Sequence, residues 1–187
     1  MQRISHHNRK LRSFVTTSTL PPPEPGRSIK PWQALAAFLL VCYAVAAVGT
    51  LSAVPAIPTW YAALHKPSFN PPNWIFPAVW TVLYGLMAFA AWLVWSTPRS
   101  NPRSNRRTDA LMLFATQLVL NFLWTPAFFH FHAIRIALVI IILLWLAILL
   151  TAIRFWRLSH LAAWLMLLYL AWVTFATALN FEICRLN

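Results

Sequence analysis

Three rows of aromatic and amide side chains in this chain recur at intervals of three or four residues, the spacing that aligns side chains on one face of a helix. The rows are Trp80, Tyr84, Met87, Ala91 and Trp95; Gln117, Asn121, Trp124 and Phe128; and Tyr169, Trp172, Ala176 and Asn180. Indole and phenol rings offer flat apolar surface with one polar edge, and an amide offers both donors and an acceptor. Converging rows of this kind suit a planar, mostly apolar ligand with a few polar edges. A plainer structural reading competes with it. Amides in a bilayer bond neighbouring helices at about 0.6–2 kcal/mol each, and Trp and Tyr near span ends anchor at the membrane interface. The plainer reading fits Trp32, Trp95, Trp156 and, by its position alone, Trp60. Trp124 and Trp172 lie toward the interiors of their spans beside Asn121 and Asn180, which favours a ligand wall.

Conventional catalysis finds no footing. The acids are Glu24, Asp109 and Glu182; Asp109 suits a helix start, and Glu182 can pair with Arg185, so no carboxylate pair is available for acid–base work. Gly26, Gly49 and Gly85 make no phosphate-binding loop, and no nucleophile stands beside a recognisable base. Cys42 and Cys184 fall at different depths, which argues against a disulfide, and no metal-ligand spacing is present. The pair His130 and His132 reads as interfacial and solvated, and His65 and His160 are read the same way.

The elements that must carry the three rows are membrane spans. Of 187 residues 60% are hydrophobic, and continuous apolar runs occur at Trp32–Val54, Trp74–Trp95, Asp109–Phe129, Ile134–Ile153 and His160–Cys184. Each is close to the roughly 20 residues that cross a hydrocarbon core as a helix, and none alternates in polarity as a barrel strand does. The expected fold is therefore all-α, an integral membrane bundle of five transmembrane helices over residues 31–187. Thr108 and Asp109 read as the N-cap and first-turn acid of the third span. Pro126 should kink that span after Trp124. The row Cys42, Val45, Gly49 and Ser52 predicts close packing of the first helix, and the nearly uniform fourth helix should face lipid or a partner subunit.

Between the first two spans, Pro67, Pro71, Pro72 and Pro77 alternate with Trp60, Trp74 and Trp80. Proline fixes φ and restricts its predecessor, so this loop is stiff and reads as a lid over a binding site. The formal charge of +12 is topological. Cations gather before the first span (Arg3 to Lys30), between the second and third (Arg99, Arg103, Arg106 and Arg107) and between the fourth and fifth (Arg154 and Arg157). Only Lys66, Arg135 and Arg185 fall on the other side. The positive-inside rule then puts the N-terminus in the cytoplasm and the lid and C-terminus opposite, with lipid rather than nucleic acid as the partner of the basic face. Residues 1–30, broken by Pro21, Pro22, Pro23 and Pro25, read as a disordered basic tail attracted to anionic headgroups.

These residues resemble the TspO/MBR family, the tryptophan-rich sensory proteins and translocator proteins also known as peripheral benzodiazepine receptors. The similarity runs from about Val48 onward in three blocks. The first is WYxxLxKPxxxPPxxxFPxxWxxLY over residues 60–84, the second QLxxNxxWTPxFF over 117–129, and the third YLxWxxxAxxLNxxxxRLN over 169–187. The resemblance implies a five-helix bundle, commonly a homodimer, with the loop between the first two helices covering a cavity for porphyrins such as protoporphyrin IX, or haem. Porphyrin or haem would be a ligand, with no cofactor and no protein metal ligand required. By matching position Trp80 and Trp172 look like the tryptophans implicated in light-dependent porphyrin degradation in some bacterial members. Tyr84, Asn121, Trp124 and Ala176 fall where relatives line the pocket. In the sterol window of animal members this chain has Phe181 where they have Tyr, which counts against sterol binding.

The preferred expectation is a tetrapyrrole receptor or transporter of a bacterial cell membrane, acting in porphyrin handling or stress sensing. Its expected ligand wall is Trp60, Lys66, Trp80, Tyr84, Asn121, Trp124, Tyr169, Trp172, Ala176 and Asn180, with Lys66 attracting propionates. The alternatives are a light- and oxygen-dependent porphyrin-degrading enzyme using Trp80 and Trp172, and a regulatory scaffold whose ligand alters partner binding.

Overall fold

The computed structural model describes residues 29–98 and 105–187. Apart from Ile29 and Lys30, the expected tail lies outside these residues, as do Arg99, Pro102 and Arg103. Five long helices follow: α1 Pro31–Ala53, α2 Ile75–Ser96, α3 Arg106–Phe129, α4 Ile134–Trp156 and α5 His160–Leu186. All five are long and apolar enough to cross a membrane. Among the described residues no strand occurs. The sequence boundaries stand within three residues at every end. The main departure is at the start of α3, which begins at Arg106 after Asn105, so Thr108 lies inside the helix instead of capping it. Asp109 remains in the first turn, where its charge meets the positive helix end.

Each end has a local cause. Pro31 opens α1, where its missing N–H is no loss, and the Gln33 amide oxygen accepts from the Lys30 N–H at 3.0 Å. Ser159 caps α5 by accepting from the Ala162 N–H at 3.3 Å. The last turn of α3 closes through His130, Phe131 and Ala133 N–H groups onto Pro126 and Ala127 carbonyls, and His132 turns the chain with φ 54°. Helix α3 continues through Pro126 to Phe129; proline there deprives the Phe122 carbonyl of its helical donor.

The helices pack in a ring, α1 to α2, α2 to α5, α5 to α4, α4 to α3 and α3 back to α1, with a lesser contact of α2 with α3 across the middle. Small residues set the close approaches. A Cβ added at Gly49 of α1 would stand 3.4 Å from Thr125 Oγ1 of α3, and one added at Gly85 of α2 would stand 3.0 Å from the Tyr43 hydroxyl of α1. Tyr43 donates to the Thr81 carbonyl at 3.1 Å and ties α1 to α2 at this level. The core holds Met87, Ala91, Phe114, Leu144, Ile148, Phe155, Met166, Tyr169 and Val173. Helix α4 packs on α3 and α5 through Ala137, Ile141, Leu144 and Ile148, while Val139, Ile142, Leu143, Leu146 and Leu150 remain exposed. Such a bare apolar face suits contact with hydrocarbon.

Candidate functional site

Above the Tyr43–Gly85 approach the helices part and enclose a cavity of about 220 Å³. Its wall comes from α1, α2, α3, α5 and the α1–α2 loop; α4 gives no residue to it. The buried side is formed by Tyr84, Asn121, Phe128, Ala176, Leu179, Asn180 and Ile183. The exposed wall residues are Thr50 of α1, Val54 just after it, Asn73 just before α2, and Pro77 and Thr81 of α2. The mouth is therefore a slit between α1 and α2. Its hydroxyls are internally satisfied: Thr50 donates to the Ala46 carbonyl at 2.9 Å and Thr81 to the Pro77 carbonyl at 2.7 Å.

The loop over the cavity is folded, as its prolines predict, though by a device the sequence reading did not foresee. Pro58 has no N–H to continue the ladder of α1, and residues Ile57–Tyr61 form a π-helical turn, with the Tyr61 N–H bonding the Ala56 carbonyl at 2.8 Å. Tyr61 is buried, faces Phe128 and Phe129, and donates its hydroxyl to Asn70 Oδ1 at 2.8 Å. Burial pushes its phenol up to about 12. The far end of the loop is clasped from α5: the Asn187 amide accepts from the His65 N–H at 3.1 Å and donates to the His65 carbonyl at 3.0 Å.

The three rows converge, with specific exceptions. Trp80, Tyr84, Asn121, Trp124, Ala176 and Asn180 all line the cavity. Trp80 contacts Tyr84, Trp124 and Tyr169 at ring separations of 5.7, 6.3 and 6.1 Å. Tyr84 donates to Asn121 Oδ1 at 3.0 Å, and Asn121 Nδ2 donates to the Tyr169 hydroxyl at 2.5 Å. Asn121 is thus held by two phenols, with Tyr169 behind the wall and fully buried.

Four expected wall residues stand off the cavity. Besides Tyr169 they are Trp60, Lys66 and Trp172. Trp60 packs on Phe128 and stacks on His132 with centroids 4.2 Å apart. Trp172 sits against Phe76 and Phe175. The Lys66 ammonium turns back on its own loop, donating to the carbonyls of Tyr61, Ala62 and Leu64 at 2.6, 3.1 and 3.0 Å, so it caps the π-helical turn instead of reaching the cavity.

Two wall residues carry buried polar atoms without a hydrogen-bond partner: Asn180 at both Nδ2 and Oδ1, and Trp124 at Nε1. Asn180 is 2% exposed. Buried polar groups are almost always paired, and an unpaired one costs about 1–3 kcal/mol. Gln117 is likewise buried and unpaired, one turn from Asn121 but off the wall. Among the described residues no group of three His, Cys, Asp or Glu is placed to hold a metal.

The sequence reading passed over the α1 wall of Ala46, Gly49, Thr50 and Ala53, with Val54 just after it, and Thr125, Phe129, Leu179 and Ile183. The row containing Gly49 was the available signal, read there as packing. Both roles hold, since the same small side chains admit α3 and leave the void.

Comparison with known proteins matches residues 38–186 to the TspO/MBR family. Protein CrtK of Rhodobacter capsulatus is 37% identical over 153 residues, covering 82% of this chain and 94% of that protein. The tryptophan-rich sensory protein of Cereibacter sphaeroides is 40% identical over 156 residues, 83% of this chain and 92% of that one. The human translocator protein is 38% identical over 128 residues, 68% of this chain and 75% of that one.

Proposed function

The chain belongs to the TspO/MBR family and is an integral membrane protein of five spans, and from that premise we propose that it is a receptor or transporter-like protein that binds a tetrapyrrole between α1, α2, α3 and α5. The observation that carries the reading is the unpaired amide of Asn180 on a wall otherwise made of Trp80, Trp124, Tyr84 and apolar side chains. Indole faces stack on a planar ring, and the Asn180 amide and Trp124 N–H meet its uncharged ring nitrogens. A void of about 220 Å³ falls below the roughly 300–1,000 Å³ usual for enclosed drug-sized ligands. A macrocycle therefore goes in edge-on, with part of its disc standing in the slit between α1 and α2. The orientation proposed is N-terminus cytoplasmic and lid outside in a bacterial cell membrane, as a homodimer joined through exposed apolar helix faces.

The test is titration of the purified protein in lipid nanodiscs with protoporphyrin IX and with haem in the dark. A saturable Soret shift, weakened by Trp80→Ala, is expected. A spectrum identical to ligand in protein-free discs would remove the reading.

A second reading, oxidative breakdown of photoexcited porphyrin, draws on the run of oxidisable rings around Trp80, with Tyr84, Trp124 and Tyr169 all within 6.3 Å of it centroid to centroid. It requires light-dependent bleaching faster than that of free porphyrin and slowed in Trp80→Phe and Trp172→Phe. Bleaching at the free rate leaves binding as the function.

A further inference from the structure

We propose that the cavity admits only the uncharged part of its ligand and holds any carboxylate at the slit, so that an acidic tetrapyrrole goes in with its acid-free edge first. The identity of that ligand rests on the preceding reading; the rule about charge rests on the wall itself. The polar groups of the wall belong to threonines, tyrosines, asparagines and the indole N–H of tryptophans, all uncharged, and among the described residues no Asp, Glu, Lys, Arg or His lines it. The cations at the same end of the bundle are engaged or remote. Lys66 is bound to three carbonyls of its own loop, Arg185 pairs with Glu182 at 2.8 Å, and Arg135 lies exposed on α4, the helix that gives nothing to the wall. A carboxylate taken into this wall would exchange its hydration for neutral partners alone, a transfer that proteins avoid unless a counter-charge waits inside.

The amide of Asn180 fits the same rule. Its unpaired Nδ2 and Oδ1 offer a donor and an acceptor side by side, complementary to the N–H and imine nitrogens at the centre of an uncharged macrocycle. The place left for an anion is the exposed margin by Val54, Asn73 and Pro77, where water and headgroups can solvate it.

Two probe pairs test this in nanodiscs by quenching of tryptophan fluorescence, corrected for partition into protein-free discs: pyrene-1,6-dicarboxylate with its dimethyl ester, and protoporphyrin IX with its dimethyl ester. Pyrene-1,6-dicarboxylate carries acids on opposite edges and must bury one to enter, so its ester should bind at least about tenfold more tightly. Protoporphyrin keeps both acids on one edge, so acid and ester should bind with closely matched affinity, insensitive to salt between about 50 and 500 mM and unchanged in Lys66→Gln. A porphyrin bearing carboxylates on every edge should not compete. Tighter binding of the acids than of their esters, lost in salt or in Lys66→Gln, overturns the charge rule and leaves the tetrapyrrole reading standing. If neither protoporphyrin form binds, the tetrapyrrole reading falls and the pyrene pair still decides: ester preference upholds the rule, and equal affinities or no binding of the ester overturn it.

Discussion

Replacing Asn180 with leucine should move stability and binding in opposite directions. The residue is 2% exposed, borders the cavity, and has neither amide atom paired. Leucine has nearly the same volume and shape and no polar atom, so the substitution removes a desolvated, unsatisfied group without opening a hole. Such a group costs about 1–3 kcal/mol while unpaired, and the ligand-free protein should hold its stability or gain part of that amount. With ligand bound, the same change deletes up to two hydrogen bonds of about 0.5–1.5 kcal/mol each. A combined loss of about 1–3 kcal/mol corresponds to binding weaker by about 5- to 150-fold. The measurements are a porphyrin titration and a thermal melt, both on Asn180→Leu in nanodiscs beside the parent protein. Unchanged affinity with lowered stability would refute the reasoning, because it would mean that Asn180 serves the packing of α5 and meets no ligand.

The remaining expectations concern the framework and the lid. Gly85→Ala should gain up to about 1 kcal/mol of helix propensity and lose a similar amount by displacing the Tyr43 hydroxyl 3.0 Å away; in a Tyr43→Phe background the gain alone should remain, and a melting temperature that does not rise there would contradict the assignment. Lys66→Met should leave the helices and their melting unchanged but speed proteolysis within residues 62–74 several-fold, since three loop carbonyls lose their shared donor; equal cleavage rates would show that the ammonium caps nothing. The Tyr61 phenol, raised to about 12 in the docked loop against roughly 10 when free, gives a signed pH effect. Below pH about 10 it is protonated docked or free, so its contribution is intact; as pH rises toward about 12 the free form ionises first and docking weakens. Absorbance at 295 nm, with Tyr61→Phe as the reference, should show one phenol titrating late, and its absence would place Tyr61 in water.

Much of the architecture was legible because apolar runs of span length, set off by proline and charge, have few other solutions in a chain this hydrophobic. The rows also located Trp80, Tyr84, Asn121, Trp124, Ala176 and Asn180, since helical periodicity reports which side chains share a face. It does not report how deep along the face the void lies. Trp172 belongs to the same row as Ala176 and Asn180 yet sits among Phe76 and Phe175. Tyr169 lies one layer behind as the support of Asn121. Lys66 stands off the cavity for a different reason: a cation beside a loop has its own carbonyls nearest, and the π-helical turn that presents the Tyr61 carbonyl follows the missing N–H of Pro58, which no spacing rule signals. The α1 wall escaped notice because small side chains carry no chemistry of their own.

The two hydrogen bonds between His65 and the Asn187 side-chain amide join residues 122 positions apart. A ribosome delivers the lid well before its fastener, so during synthesis the cavity is closed only once the fifth span, which also completes its wall, has been threaded into the bilayer. A nascent chain halted before that point would present stacked indoles to whatever hydrophobic molecule passed by, without the catch that distinguishes a finished container from an open one.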